Sequence, residues 1–171
     1  IESHEAVTAV SRELMLQAKE AAEDLGFTVL HMYVDCLFVQ QKGLERPDDF
    51  TPLMEAIVDE AKTFRIPVAA HLGLTDALTA GKMGVTSIEH LSGVPEAAGR
   101  ADPLFAAAQD GFFAGWTAFE KSWATLDSVT LTRLAGQLAE TGVTMVPTLV
   151  LHEVFSRLDD STAMTNPDLL A

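Results

Sequence analysis

The chain has 171 residues, 48% of them hydrophobic and 21% charged, a composition that indicates a globular domain and excludes a disordered chain. Its formal net charge of −14 disfavours nucleic acids and anionic membrane surfaces as partners, because their phosphates repel a carboxylate-rich surface. The single cysteine, Cys36, excludes an internal disulfide and a cysteine-based zinc site. No apolar run reaches the ~18 residues of a membrane span, and nothing in the sequence indicates a compartment. Because the chain begins at Ile1 and ends at Ala171 without a helix-capping signal, we expect residues 1–171 to be a single segment of a longer protein, incomplete at both ends.

The first part of the chain carries a helical pattern, then a strand pattern, then a second helical pattern. Apolar residues at helical spacing predict a helix over 3–24, which ends at Gly26. Residues 28–40 are rich in β-branched and apolar side chains and predict one buried strand, centred on 34–40. A second amphipathic helix is expected over 50–65.

The rest of the chain alternates short strand patterns with helical ones. The strand patterns are short apolar runs at 67–71, 86–90 and 143–150. The helical patterns lie at 75–83, 127–141 and 152–158, with less regular helical pieces over 94–125. Asp127 is the expected N-cap of the helix at 127–141, which is expected to end at Gly142, and Gly84 is the expected end of the helix at 75–83.

This order of elements favours an α/β fold. Continuous apolar strands that alternate with helices are typical of a parallel sheet covered by helices. No glycine-rich phosphate-binding motif follows any strand pattern, which disfavours nucleotide-binding folds. The four strand patterns are half of the strands in an eight-stranded barrel, so we predict a partial (β/α)8 TIM barrel with parallel strands alternating with helices. An open sheet of this kind has exposed edges, so we also expect self-association or pairing with the missing half.

Two of the five histidines, His71 and His90, each end a predicted strand. The carboxyl ends of barrel strands lie on one rim, and adjacent parallel strands are ~4.8 Å apart. Imidazoles at equivalent strand ends can therefore converge on one ion at Zn–N distances of ~2.0–2.1 Å. The same spacing also fits two hydrogen-bonded histidines that bind no metal.

Both histidines lie in longer motifs. The stretch EAIVDEAKTFRIPVAAH ends at His71, and the stretch ALTAGKMGVTSIEHLSG contains His90. They resemble the patterns IVxEAxxxGxPVAxH and AxxAGVxSIEHxxG of the metal-dependent amidohydrolase superfamily, in particular of its imidazolonepropionase-like and prolidase-like members. Downstream, LAGQLAETGVTMVPTLV resembles that family's AxxGVxxVPTL. The resemblance runs from about residue 30 to residue 155.

The resemblance implies strands four to seven of an amidohydrolase barrel and a metal-dependent hydrolase. Its reaction would cleave an amide, peptide or other C–N bond in a small-molecule or dipeptide-like substrate. His71 and His90 match the two histidines that hold the more buried metal, and zinc is the divalent metal expected first. Glu89 is expected to orient His90 or to make a hydrogen bond behind it, and Thr148 to face the site. For His152 a position on a helix surface is expected, and His4 and His31 are expected to be structural.

The chain also departs from the family's pattern. Phe38 stands where many relatives have a lysine whose carboxylated side chain bridges two metals, which indicates a mononuclear, rearranged or lost site. Lys42, four residues further on, is a poor substitute. The family's His-x-His pair on strand one and its general-base aspartate on strand eight have no match in the chain. We therefore expect negligible hydrolase activity from these 171 residues alone.

Two other functions remain open at this stage. One is a non-catalytic or vestigial relative that binds a ligand or a protein partner through the same rim, a reading that Phe38 favours. The other is a metal-free enzyme that uses Glu89 with His90 as its acid–base pair. The aromatic residues Trp116, Phe119 and Trp123 are expected in the core, with an apolar wall over a site as the alternative.

Overall fold

A computed structural model gives the fold of residues 2–33 and 36–156. Side chains are described for residues 9–33, 37–150, 152 and 153. The predicted end of the last helix and the predicted tail loop lie outside the described residues, as does the side chain of His4. Among the described residues, no helix combines the length and the apolar character that crossing a bilayer requires.

The chain divides into two compact units, Ile1–Pro67 and Val68–Ala171. The first unit contains an antiparallel sheet of two strands, and the second contains a parallel sheet of three. This division does not test whether residues 1–171 are one segment of a longer protein, which stays a prediction.

The first unit consists of two long helices, a short 3₁₀ helix and a β-hairpin. In chain order its elements are α1 (Glu2–Asp24), β1 (Thr28–Tyr33), β2 (Cys36–Gln40), the 3₁₀ helix Pro47–Phe50 and α2 (Thr51–Thr63). Its core forms where Ala22, Phe27 and Leu53 are buried together, and alternate residues of the hairpin pack against them. This small cluster is the hydrophobic centre of the unit.

The prediction of one buried strand over 28–40 is wrong. Strands β1 and β2 pair antiparallel, with Val29 opposite Val39 and an irregularity between Val29 and His31. One face of the hairpin packs on the core through Val29 and Val39, while Leu30 and Phe38 are exposed. Since Phe38 lies on an antiparallel hairpin, the alignment of this segment with a parallel barrel strand has no structural basis.

The second unit alternates strands with helices. In chain order its elements are β3 (Ala69–Ala70), α3 (Ala77–Met83), β4 (Ser87–Glu89), a π-helical turn (Glu96–Arg100), α4 (Ala101–Gln109), α5 (Phe112–Trp123), α6 (Ser128–Thr141), β5 (Thr144–Val146) and α7 (Leu149–Ser156). The strands are parallel in the order β3-β4-β5, so that Ile88 of the central strand is paired with Ala70 on one side and Met145 on the other. Ile88 is fully buried, as expected for the centre of a covered parallel sheet.

Local sequence signals set the helix ends in this unit. The carboxylate of Asp127 accepts hydrogen bonds from the backbone N–H and the hydroxyl of Thr130, which confirms it as the N-cap of α6. Gly84 and Gly142 end α3 and α6 with φ of 96° and 77°, a left-handed conformation that glycine adopts without steric cost. The predicted ends of these two helices are therefore confirmed.

The prediction of a partial (β/α)8 TIM barrel is wrong. The described residues form an α/β chain with one two-stranded antiparallel sheet and one three-stranded parallel sheet, and no barrel. The physical reason is that alternating strands and helices are shared by barrels and by open parallel sheets, and that a short apolar run does not reveal its pairing direction. Once residues 28–40 form a hairpin, only three parallel strands remain in the described part of the chain.

Candidate functional site

The carboxyl ends of β4 and β5 have a strained backbone. His90 and Leu91, which follow β4, have φ of 58° and 55°, and Thr148, which follows β5, has φ of 47°. Each such conformation costs a non-glycine residue ~1–2 kcal/mol, and strain of this kind concentrates at functional sites. The N–H of His90 donates a hydrogen bond to the carbonyl of Val146 at 2.8 Å, which holds this turn against β5.

A buried serine links the ends of β3 and β4. The hydroxyl of Ser92 accepts a hydrogen bond from the N–H of Leu72 at 2.9 Å and donates one to the carbonyl of Glu89 at 2.8 Å. The residue after His71 and the residue before His90 are thereby tied to the same oxygen. This positioning role of Ser92 was not predicted, although the residue lies inside the stretch ALTAGKMGVTSIEHLSG.

The structure brings His71 and His90 together. Each follows its strand by one residue, and β3 and β4 are neighbours in the parallel sheet. The centroids of the two imidazole rings are 4.9 Å apart, and the ring planes are inclined at 69°. His71 is exposed and His90 is half-buried, so the pair lies at the surface end of the sheet.

The surroundings favour a neutral imidazole at His71. Burial lowers the pKa of His71 below its usual 6.5, and the neighbouring His90 lowers it further, while the charge of Glu89 acts in the opposite direction. Nδ1 of His90 is buried and has no hydrogen-bond partner among the described residues. Neutral imidazole nitrogens with an available lone pair are the form of histidine that binds metals.

Glu89 and Thr148 lie beside this pair, and their predicted roles stay predictions. The carboxylate of Glu89 accepts a hydrogen bond from the hydroxyl of Ser87 at 3.1 Å. Thr148 is half-buried between the end of β5 and the start of α7. Both residues thus lie at the carboxyl ends of the parallel strands, as the two histidines do.

The donor set of the site fits part of a zinc site. Within residues 2–33 and 36–156, no three or more His, Cys, Asp or Glu side chains come together in a way that could hold a metal ion. Two imidazoles are typical zinc ligands, but catalytic zinc sites generally have three protein ligands. His71 and His90 therefore fit as two ligands of a site that needs at least one more.

The two histidines line a cavity with a volume of ≈ 250 Å³. Large apolar side chains from α4 and α5 form one wall of it, namely Leu104, Phe112, Trp116 and Phe119. Trp116 and Phe119 thus lie in an apolar wall of this cavity, as in the alternative considered for them. Trp123 does not line this cavity, and instead lines a second one together with residues of α6.

His152 has a partner, Glu120, that the sequence did not predict. His152 on α7 is 19% exposed at its side chain, and its Nδ1 lies 3.1 Å from a carboxylate oxygen of Glu120 on α5. Its Nε2 is buried and has no hydrogen-bond partner among the described residues. The two residues are 32 positions apart, and no motif in the sequence connects them. The expected position of His152 on a helix surface is therefore replaced by a half-buried one.

His31, which the sequence assigned a structural role, lies far along the chain from these groups. It is exposed on the hairpin, where its ring stacks on Tyr33 at 6.2 Å and lies 6.1 Å from the ring of Phe38. This surface position makes His31 a useful control for experiments on the other histidines.

Comparison with known proteins gives no relative. No family model, no curated protein and no solved structure matches the chain. The resemblance to the amidohydrolase superfamily accordingly stays a prediction from the motifs around His71 and His90.

Proposed function

We propose that His71 and His90 bind one zinc ion and that this site serves the hydrolysis of an amide, peptide or other C–N bond in a small-molecule or dipeptide-like substrate. The observation that carries the proposal is the pair of imidazoles, 4.9 Å apart between ring centroids, at the ends of neighbouring parallel strands. A bound zinc ion would polarise the substrate carbonyl and lower the pKa of the attacking water.

The chain's own residues prepare this site in two ways. Partial burial lowers the pKa of His71, which favours the neutral imidazole that a metal ion would bind. The two hydrogen bonds of Ser92 fix the backbone on both sides of the pair, which limits the entropy lost when the rings bind an ion.

We propose further that hydrolysis needs groups that the described residues do not provide. The two histidines account for two zinc ligands, and a third ligand and a general base are required for turnover. The isolated chain is therefore expected to bind zinc without hydrolysing amides at enzyme-like rates.

Zinc titration of the metal-stripped chain tests this proposal. We expect close to one zinc ion per chain by isothermal titration calorimetry. The single variants His71→Ala and His90→Ala should each weaken binding by about tenfold or more, since loss of a hydrogen bond behind a ligand already costs 10–100-fold. His31→Ala, which removes an exposed imidazole on the hairpin, should bind zinc as the parent chain does.

The titration has clear adverse outcomes. If the parent chain takes up no zinc, or if His31→Ala weakens binding as much as the other two variants do, then the two-histidine site is wrong. A circular dichroism spectrum of each variant, compared with that of the parent chain, shows whether a loss of zinc reflects a loss of fold.

A binding function without catalysis is the second candidate. It is favoured by the donor set, because the described residues bring together fewer than three metal-binding side chains. Under this alternative the cavity beside the histidines retains a ligand while the chain takes up no zinc.

A further inference from the structure

The cavity beside His71 and His90 has an almost entirely apolar lining. No Lys, Arg, Asp or Glu is among the described residues that line it. The lining residues whose side chains carry polar atoms are His71, His90, Ser92 and Trp116, and the Ser92 hydroxyl is already engaged in two hydrogen bonds. A charged substituent placed here would lose its hydration without gaining a partner of opposite charge, which is costly.

One wall of the cavity is a row of aromatic rings on α5. The ring of Phe112 lies 6.1 Å from that of Trp116 at an interplanar angle of 28°, and Trp116 lies 6.1 Å from Phe119 at 44°. These separations are those of offset aromatic pairs, an arrangement that a further aromatic ring can extend. The row therefore offers a planar apolar group a surface of matching geometry.

Small residues keep the cavity open where α4 meets α5. Ala108 and Gly115 both line it, and a Cβ added to Gly115 would lie 3.1 Å from the Cα of Ala108. The close approach of the two helices at this point depends on the missing side chain of Gly115. Larger residues at either position would occupy the space available to a ligand.

Phe112 has the exposure expected of a residue that a ligand would cover. It is 74% exposed although it lines the cavity, and its neighbour Phe113 is 82% exposed and does not line it. A ligand in the cavity would remove apolar surface of Phe112 from water, which favours binding by ~25 cal/mol per Å² covered. The adjacent pair thus supplies a test residue and a matched control.

We infer that the cavity binds an uncharged aromatic or branched aliphatic side chain of the substrate. The inference rests on the proposed function for the placement of the scissile amide next to His71 and His90. The class of side chain rests on the cavity lining alone. The expected substrates are therefore amides or dipeptides with a residue such as phenylalanine or leucine beside the scissile bond.

Ligand titration of the metal-stripped chain tests the inference without requiring activity. The probes are the N-acetyl amides of phenylalanine, leucine, lysine and glutamate, followed through the NMR shifts of the Gly111 and Gly115 amides. We expect the phenylalanine and leucine probes to bind, and the lysine and glutamate probes to bind at least about tenfold more weakly. Phe112→Ala should weaken binding of the phenylalanine probe about 3–10-fold, whereas Phe113→Ala should leave it unchanged.

The outcomes separate this inference from the proposed function. Equal binding of all four probes, no binding of any probe, or an equal effect of the two phenylalanine variants would overturn the inference, whatever the zinc titration gives. Selective binding of the apolar probes by a chain that takes up no zinc would support the inference and refute the metal site. Zinc binding by a chain that shows no preference among the four probes would support the metal site and refute the inference.

Discussion

At position 65 an arginine occupies a backbone conformation that suits glycine. Arg65 follows α2 with φ of 57°. Its N–H donates to the carbonyl of Lys62, and the N–H of Ile66 donates to the carbonyl of Ala61, both at 2.9 Å, as in the common left-handed end of a helix. Arginine carries a Cβ that makes this conformation costly, whereas glycine adopts it without steric cost.

Arg65→Gly is therefore expected to stabilise the chain. Relief of the left-handed strain is worth ~1–2 kcal/mol, partly offset by the greater freedom of glycine in the unfolded chain, which leaves a gain of about 1 kcal/mol. Urea unfolding followed by circular dichroism measures the change. Arg65→Ala is the control, because alanine keeps the strain, and a glycine variant no more stable than the alanine variant would contradict this explanation.

The same kind of strain at His90 has a different consequence. His90 and Thr148 adopt left-handed φ at the ends of adjacent strands, where a glycine would relieve the strain and remove the side chain. The strain at Arg65 lies at an ordinary helix end, whereas the strain at His90 accompanies an imidazole whose Nδ1 has no partner among the described residues. Strained backbone beside a side chain with an unpaired buried nitrogen is typical of functional sites.

Helices α3 and α6 approach each other closely at Gly81. A Cβ added to Gly81 on α3 would lie 2.6 Å from the hydroxyl oxygen of Thr141 on α6. That hydroxyl donates to the carbonyl of Leu138 at 2.7 Å, so it is held in place and cannot easily move aside. Gly136, also on α6, has no atom within 4 Å of the position of its missing Cβ.

Substituting alanine at these two glycines is expected to have opposite effects. Gly81→Ala should lower the free energy of unfolding by about 1–3 kcal/mol, because the added methyl group forces the helices apart. Gly136→Ala should raise it by about 0.5–1 kcal/mol, because alanine favours a helix and meets no neighbour. Both values come from urea unfolding. No destabilisation by Gly81→Ala would show that the packing of α3 on α6 is wrong, and destabilisation by Gly136→Ala would show that the surroundings of Gly136 are wrong.

At the same scale, the sequence predicted helices better than strands. Helix ends carry local signals, such as Asp127 before α6 and Gly142 after it, and these need no knowledge of the rest of the chain. The hairpin was missed because the two residues between its strands, Val34 and Asp35, include none of the glycine or asparagine that marks a tight turn. A strand's partner and direction are tertiary properties, which a short apolar run does not encode.

For the whole molecule, the sequence predicted one part of the candidate site. The approach of His71 and His90 followed from the strand patterns that each of them ends. The cavity did not, because it is formed by packing of α4 on α5, in a stretch with no regular periodicity. The partnership of His152 with Glu120 joins two different helices and has no local signal. Self-association stays a prediction, with β3 and β5 as the outer strands of the parallel sheet.

The pH dependence of folding is set in part by one buried carboxyl group in the segment that follows β4. Glu96 is 5% exposed, and its Oε2 has no hydrogen-bond partner among the described residues. Burial raises the pKa of Glu96 from 4.5 to about 7, and the charge of Asp76 acts in the same direction, while a backbone hydrogen bond opposes them. The folded chain thus holds this proton more tightly than the unfolded chain does.

The sign of the effect is opposite to that of a salt-bridged carboxylate. The contribution of Glu96 to stability is most favourable below pH 4.5, falls as the pH rises from 4.5 to about 7, and is least favourable above that pH. A shift of this size corresponds to at most ~3 kcal/mol, and partial access of solvent reduces it to about 2 kcal/mol. The cost arises because ionisation of Glu96 is less favourable in the folded chain, where the carboxyl group is buried, than in the unfolded chain.

Glu96→Gln is expected to remove this cost, since the amide has nearly the same shape and does not ionise. Its stability relative to the parent chain should increase by about 2 kcal/mol between pH 5 and pH 8, measured by urea unfolding at both values. Glu140→Gln, on the exposed side of α6, is the matched control and should show no such increase. A relative stability of Glu96→Gln that is the same at pH 5 and pH 8 would mean that Glu96 is ionised in the folded chain, and that the segment after β4 is more open to water than its burial indicates.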